Sequence, residues 1–207
     1  DILLDNGKIV KIGKLKIEKT INTINCSGKI ITSGFTDIRS HFKQPGSGYV
    51  ETINSGVDAA MAGGYTSICL MSDEENPLDT PESIKNIVDS SERINIFPIG
   101  SASVKHEGVE LCEYGHMVKE GAIAFSDTVS SIKNSQFLKY ALEYSGMYNV
   151  PIISYPKDYG LSNGGVVNEG PISTKLGLKG IPDISESIII FRDVMIAQLA
   201  NQKIHIP

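Results

Sequence analysis

Residues 50–71, VETINSGVDAAMAGGYTSICLM, contain a helix pattern followed at once by a strand pattern. Ile53, Val57 and Ala60 recur at the spacing of one helix face, and Gly63 and Gly64 supply a C-terminal stop. The run YTSICLM is short and continuously apolar, as expected of a strand buried on both faces of a parallel sheet. The segment therefore predicts a helix that leads into a buried parallel strand.

The same alternation continues to the end of the chain. Six strand-like runs are separated by helix-like segments: KIITSGF, YTSICLM, RINIFPIG, AIAFSD, VPIISYP and KIHIP. Helix starts are predicted at Thr80, an N-cap followed by proline, and at Asp183, where Glu186 completes a capping-box pattern. Right-handed βαβ units follow from this order. They fit either a doubly wound open sheet or a (β/α)8 barrel, and in both the ligands bind at the carboxyl ends of the strands.

The first 28 residues have a different pattern. Asn6-Gly7 lies between two apolar runs, which is a strong hairpin signal, and KLKIEKTINTINCSG alternates apolar and polar residues. We therefore expect a small antiparallel β segment over residues 1–28 and βα units over residues 29–207. The usual barrel has eight strands and about 250 residues, so the expectation is that the barrel is truncated here and two units lie beyond Pro207.

Composition excludes several classes of protein. The chain has 207 residues, 41% hydrophobic and 21% charged, with a net charge of -5 and no clustered basic face of the kind that binds nucleic acid. Its apolar runs are too short to span a bilayer. Cys26, Cys69 and Cys112 are odd in number and widely spaced, which favours reduced thiols in a cytoplasmic protein.

The polar strand ends do not supply a complete binuclear metal site. Two histidines at i and i+2 would be needed after the first strand, so that both point the same way. The stretch GFTDIRSHFKQPG, residues 34–46, offers Arg39 and His41 instead. The chain has four histidines, and the other three, His106, His116 and His205, do not complete the set; the first two of these are expected at the surface.

The sequence resembles the dihydroorotase family of the amidohydrolase superfamily. The resemblance is carried by GFTDIRSHFKQPG, by ETINSGVDAAMAGGYT, by MSDEENP and by collinear matches along the rest of the chain. It implies a (β/α)8 TIM-type barrel, here with about six βα units and a small N-terminal β-sandwich portion. It also implies a hydrolase of pyrimidine biosynthesis that uses zinc.

Departures from the family pattern fall on its functional positions. The resemblance places the first metal histidine at Arg39 and the second at His41, which is the only ligand position retained. By the same resemblance, Lys43 stands where the family has a substrate-binding arginine, and Asp73 where it has a substrate-binding asparagine. Asp127 is an acid that the family also has. Thr128 stands where the family has its metal-bridging aspartate, and Tyr155 where it has a metal histidine. We treat these seven residues as a vestigial pocket without catalytic residues.

Electrostatics argues against metal in this pocket. Two like unit charges about 4 Å apart cost roughly 4 kcal/mol at an effective dielectric of about 20, and a divalent ion beside Arg39 would face about twice that. A guanidinium cannot lose its proton to become a ligand. We therefore expect no cofactor, or at most one weakly held ion, and a salt bridge from Arg39 to Asp127 or Asp73.

Two functions follow as hypotheses. In the first, the protein is a dihydroorotase-like pseudoenzyme that serves as a structural partner, either as a homo-oligomer or in a complex with aspartate carbamoyltransferase, an association that the resemblance suggests. In the second, it is an active dihydroorotase or another cyclic-amide amidohydrolase with a reduced metal site. Metal content and hydrolysis of dihydroorotate separate the two.

Overall fold

The chain forms two compact units, Asp1–Ser33 and Gly34–Pro207. A computed structural model describes residues 1–16, 22–44, 46–73, 75–90, 92–127 and 131–207. In this part of the chain no helix is both long and apolar enough to cross a membrane.

The first unit contains the predicted hairpin. Strands β1 (Ile2–Asp5) and β2 (Lys8–Ile12) pair in antiparallel fashion. Asn6 and Gly7 both have positive φ, 48° and 73°, which a two-residue hairpin turn of type I′ requires. The second strand predicted for this unit falls partly on residues 17–21, outside the described residues, and residues 14–16 and 22–28 contain no strand. A β-sandwich is therefore not seen in the described part of this unit.

The second unit is built around a six-stranded parallel sheet. Its strands lie in the order β10-β7-β6-β5-β4-β3 and pair in parallel throughout. A separate short parallel pair, β8 with β9, was not predicted. The strands are β3 (Phe35–Ser40), β4 (Tyr65–Leu70), β5 (Asn95–Ser101), β6 (Ala124–Ser126), β7 (Ile152–Ile153), β8 (Val167–Asn168), β9 (Gly180–Ile181) and β10 (Ile204–His205).

Helices alternate with these strands as the sequence predicts. A single 3-10 turn, Val104–His106, follows β5. The α-helices are α1 (Ile53–Ala62), α2 (Pro81–Val88), α3 (Tyr114–Lys119), α4 (Ser135–Gly146), α5 (Tyr159–Ser162), α6 (Pro171–Leu176) and α7 (Ile184–Ala200).

Side-chain caps fix the starts of two of the helices. Thr52 and Thr80 each accept a hydrogen bond from the backbone N–H three residues on, in complete capping boxes at the starts of α1 and α2. The capping box predicted at Asp183 is wrong. Asp183 has helical φ and ψ and makes no side-chain cap hydrogen bond, because an N-cap residue must leave the helical region to direct its oxygen at the N3 amide.

The first sheet strand lies later than its apolar run predicts. KIITSGF suggests a strand over residues 29–35, whereas β3 starts at Phe35, and Ile30 is 92% exposed. Phe35 N–H donates to the Gly64 carbonyl, and β3 is then in register with β4. The partner strand therefore sets the boundary, and Arg39 lies inside the strand instead of after it.

The core lies between the sheet and its helices. The inner face of α4, made by Phe137, Leu138, Ala141 and Leu142, is buried. Tyr114 of α3 stacks on Phe125 of β6 with ring centroids 3.9 Å apart. This packing holds the carboxyl ends of the strands, where the predicted pocket lies.

A buried carboxylate docks α7 at the end of β7. Asp193 is 1% exposed; it accepts hydrogen bonds from Ser154 Oγ and from Arg192 Nε. Arg192 also donates to the carbonyls of Ile132 and Lys133. The charge of Asp193 is thus both paired and hydrogen-bonded, which is the condition under which a protein interior tolerates a charge.

Candidate functional site

The end of β3 and the loop after it carry three of the predicted pocket residues. Arg39 is the second-last residue of the strand, and His41 and Lys43 lie in the loop. Phe42 between them is buried, and a Cβ on Gly56 of α1 would lie 2.5 Å from its ring. The close contact of Phe42 with Gly56 anchors the loop. The side chains on either side of Phe42 remain exposed.

Arg39 contacts Tyr155 across the carboxyl edge of the sheet. Its Cζ lies over the Tyr155 ring, 5.3 Å from the centroid. Tyr155 follows β7, which is four strand positions from β3, about 19 Å in a flat sheet with a spacing of about 4.8 Å. Since side chains stand roughly perpendicular to a sheet, this contact indicates that the sheet curls strongly, in the sense of a barrel.

The predicted salt bridge from Arg39 to Asp127 or Asp73 is wrong. Each carboxylate has a nearer partner. Lys43 Nζ lies 3.7 Å from Asp73 Oδ2, and Asp127 is bound by a serine described below. In the described part of the chain the guanidinium of Arg39 makes neither an ion pair nor a hydrogen bond.

Asp127 is held by the loop that follows β5. It is 3% exposed, and it accepts hydrogen bonds from Ser103 N at 2.8 Å and Ser103 Oγ at 2.7 Å. Ser103 Oγ in turn accepts from Gly108 N at 2.8 Å. The retained acid therefore ties β6 to this loop. Thr128, the next predicted pocket residue, lies outside the described residues.

The side chain of His106 is buried, contrary to the prediction that it lies at the surface. Its side chain is 7% exposed, and its Nδ1 lies 3.4 Å from Asp127 Oδ1 without the alignment of a hydrogen bond. Its Nε2 lies 3.0 Å from Ser72 Oγ and 3.3 Å from Ser101 Oγ. His116, in contrast, is exposed as predicted.

These contacts place an acid, an imidazole and hydroxyls in the order of a nucleophilic triad, but the hydroxyls are inaccessible to solvent. Ser72 and Ser101 are fully buried, and Ser72 Oγ already accepts the Leu78 N–H at 2.7 Å. An electrophile has no route to either hydroxyl. We assign the cluster a structural role at the ends of β4, β5 and β6. The signal in the sequence was the series of serines at successive strand ends, since parallel strands bring such residues together at one edge.

His41 is exposed, and the pKa of its imidazole is lowered. Partial burial lowers its pKa, and the positive charges of Arg39 and, more weakly, Lys43 lower it further, while Asp73 and Asp37 oppose them. In the described part of the chain no hydrogen bond to this imidazole is present. The neutral imidazole is favoured mainly because the ring is partly buried, and in addition because two cations act on it.

Comparison of the sequence with known proteins places the chain in a family. Residues 28–207 match the sequence profile of the family described as Dihydro-orotase-like. The chain belongs to this family. Curated relatives named Dihydroorotase include that of Acetivibrio thermocellus, 38% identical over 100% of this chain and 49% of its own length, and that of Caldicellulosiruptor saccharolyticus, 40% identical over 100% and 49%. The chain thus spans about half the length of these relatives.

A solved structure gives no further support. The crystal structure of an uncharacterized protein aligns with a TM-score of 0.34 and 12% identity, over 76% of this chain and 37% of that chain. A likeness at that level carries no argument about fold or function.

Within the dihydro-orotase-like family the expected metal is zinc, and the donors in the described part of the chain do not by themselves make a zinc site. Zinc takes imidazole, thiolate or carboxylate ligands. In the described ranges, which omit Thr128, no group of three or more His, Cys, Asp or Glu side chains could hold a metal ion. Asp127 is engaged by Ser103, and His41 has the fixed charge of Arg39 beside it.

Proposed function

We propose that this chain is a dihydroorotase-like protein of pyrimidine biosynthesis that has lost metal-dependent hydrolysis and acts as a structural partner, for example of aspartate carbamoyltransferase. The observation that carries the proposal is the guanidinium of Arg39 at a metal-histidine position, packed on the ring of Tyr155 at a second one. Hydrolysis of a cyclic amide at neutral pH uses a metal-bound water of lowered pKa, and a guanidinium and a phenol ring cannot hold the metal ion that this requires.

An apolar face on α7 supports the assembly role. Along this helix five exposed apolar side chains recur at intervals of three or four residues, which places them on one face. They are Ile184, Ile188, Phe191, Met195 and Leu199. Phe191 is 69% exposed and Leu199 is 73% exposed. Contiguous apolar surface of this kind typically marks an interface.

Metal binding gives the first test. The purified 207-residue chain, dialysed against zinc and then buffer, is expected to retain far less than one zinc per chain and to leave dihydroorotate intact. The Arg39→His variant removes the charge and restores an imidazole two residues from His41, so it should retain more zinc; the Arg39→Gln variant removes the charge alone and serves as the matched control. Near-stoichiometric zinc with measurable hydrolysis in the unaltered chain would overturn the proposal.

Association gives the second test. Sedimentation of the chain with aspartate carbamoyltransferase is expected to show a complex that the double variant Ile188→Ser and Phe191→Ser abolishes. Met147→Ser, which removes an exposed apolar side chain elsewhere, should leave the complex intact. Self-association lost in the same double variant would point to a homo-oligomer instead. A chain that stays monomeric both alone and in the mixture contradicts the assembly role.

A further inference from the structure

The outer face of α7 carries a continuous apolar stripe of five side chains. Each of them is between 48% and 73% exposed. This outer stripe consists of Ile184, Ile188, Phe191, Met195 and Leu199. On the opposite face every fourth residue from Ser185 to Ala197 is buried. The packing of α7 within the chain therefore uses the inner face and leaves the outer stripe exposed.

The outer stripe carries no charge. α7 contains three charged residues, and two of them, Arg192 and Asp193, pair with each other. The third, Glu186, lies in the first turn, and its helical spacing places it on another side of α7. A helix at a membrane surface has Lys or Arg on its polar face, and a nucleic-acid site has a basic patch, so neither ligand fits. Apolar surface depleted of charge is instead the composition of the core of a protein–protein interface.

The outer stripe is symmetric about its own midpoint, which falls directly after Phe191. Ile184 and Leu199 are equally far from this point along the helix. The same holds for Ile188 and Met195. In an antiparallel pair of such helices each apolar side chain lies opposite another, and the two Phe191 rings meet beside the two-fold axis. A two-fold interface requires this self-complementarity, because it uses the same patch on both partners.

The size of the outer stripe fits an interface between two copies. A fully exposed side chain of this size has roughly 200 Å² of surface, so the stripe presents on the order of 500–600 Å². Two copies would bury about 1,000–1,200 Å² from these side chains alone, and specific interfaces start at about 1,000 Å². Ser187 and Gln198 flank the stripe, are exposed and carry no charge. The antiparallel pairing brings each near the other residue of the second copy, which supplies a polar rim.

We propose that the outer stripe of α7 binds the same stripe of a second copy of this chain, in an antiparallel pair whose two-fold axis lies beside Phe191. The inference rests on the assembly role proposed above and names the partner of this face. The pair of copies is then the unit that takes part in any larger assembly, and the double variant Ile188→Ser and Phe191→Ser breaks it.

Sedimentation of the 207-residue chain at rising concentration tests the pairing. We expect a monomer–dimer equilibrium. Phe191→Glu removes both aromatic anchors and places two like charges beside the axis, so it should raise the dissociation constant of the dimer by about a hundredfold or more. Met147→Glu adds the same charge at an exposed apolar residue elsewhere and should leave the dimer intact. A chain that is monomeric at every concentration, or an unchanged dissociation constant in Phe191→Glu, overturns the pairing.

A charge swap tests the two-fold register. Phe191→Lys should be monomeric for the same reason as Phe191→Glu. An equimolar mixture of the two variants should associate more tightly than either alone, because the axis brings opposite charges together. A mixture that associates no more tightly than its components rules out this register. Circular dichroism checks the helix content of each variant, and Leu199→Glu, at the end of the stripe, covers the case in which a Phe191 variant does not fold and should also weaken the dimer.

Failure of the pairing is distinguishable from failure of the proposed function. A monomeric chain that binds aspartate carbamoyltransferase and holds no zinc removes only the pairing. Near-stoichiometric zinc with hydrolysis of dihydroorotate removes the proposed function, whatever the sedimentation of the chain gives.

Discussion

Asp127 shows how one retained residue can keep a structural role. The chain keeps this acid, and its carboxylate is buried under two hydrogen bonds from Ser103, with His106 Nδ1 facing it at 3.4 Å. Both hydrogen-bond donors belong to Ser103 in the loop after β5, so the carboxylate connects that loop to the end of β6. A buried carboxylate with satisfied donors stabilises the fold even where it does no chemistry.

We expect Asp127→Ala to lower the free energy of unfolding by about 3 kcal/mol, because it leaves the two Ser103 donors buried without their acceptor. Urea denaturation measures this loss. Glu143→Gln, which removes the exposed partner of Lys139 on α4, is the control and should change stability little. Equal stability of the two variants would show that Asp127 does not hold the loop.

His41 should titrate below its ordinary pKa of 6.5. Because the folded chain binds this proton less readily than the unfolded chain, stability should rise with pH from the lowered pKa up to about 6.5. NMR titration of the imidazole Cε1–H, assigned by its loss in His41→Gln, measures the shift.

Charge variants give the sign of each contribution to the His41 pKa. Arg39→Gln should raise it, Lys43→Gln should raise it less, and Asp73→Asn should lower it further. An unchanged His41 pKa in Arg39→Gln would contradict the proximity of the two side chains.

At the scale of elements, the sequence predicts most of the order of helices and strands. The apolar spacing of α4 and the threonine caps of α1 and α2 are local signals, and the structure contains them. Apart from the capping box at Asp183, what the sequence missed at this scale depended on distant partners. The start of β3 is set by its register with β4, and the short pair β8 with β9 joins residues too far apart in the chain for a local pattern to reveal.

The helix starts predicted at Thr80 and Asp183 provide a test at this scale. Thr80→Ala should lower the free energy of unfolding by about 1 kcal/mol, since the Thr80 oxygen accepts the Ser83 N–H at the start of α2. Asp183→Ala should cost much less, because Asp183 makes no cap hydrogen bond to α7. Urea denaturation of both variants provides the comparison, and a larger loss for Asp183→Ala would restore the capping box that the sequence predicts.

At the scale of the whole molecule, α7 carries apolar side chains on two faces. Ile189 is 7% exposed and faces the core, while Ile188 and Phe191 on the outer face are exposed. A helix that is apolar on both sides is typical of one that packs between two layers. The structure shows what covers the inner face, and the proposed partner would cover the outer one.

Matched serine substitutions distinguish the two faces. Ile189→Ser should lower the free energy of unfolding by roughly 3 kcal/mol, because it opens a cavity and buries a hydroxyl. Ile188→Ser should leave stability nearly unchanged and should reduce the binding of a hydrophobic dye to the chain. Thermal and urea unfolding with dye fluorescence measure both effects; a similar loss of stability in the two variants would show that the outer face is already covered.

The sequence by itself determined most of the order of the elements, the family and the presence of a cation at Arg39, because spacing, caps and collinear motifs are properties of the chain. The tertiary structure alone decided which groups meet. Arg39 meets Tyr155 because the sheet curls, and His106 is buried because three strand ends place serines and Asp127 around it. A charged side chain pairs with the nearest group that satisfies it, and the distance to that group is set by the folded backbone and not by position in the sequence.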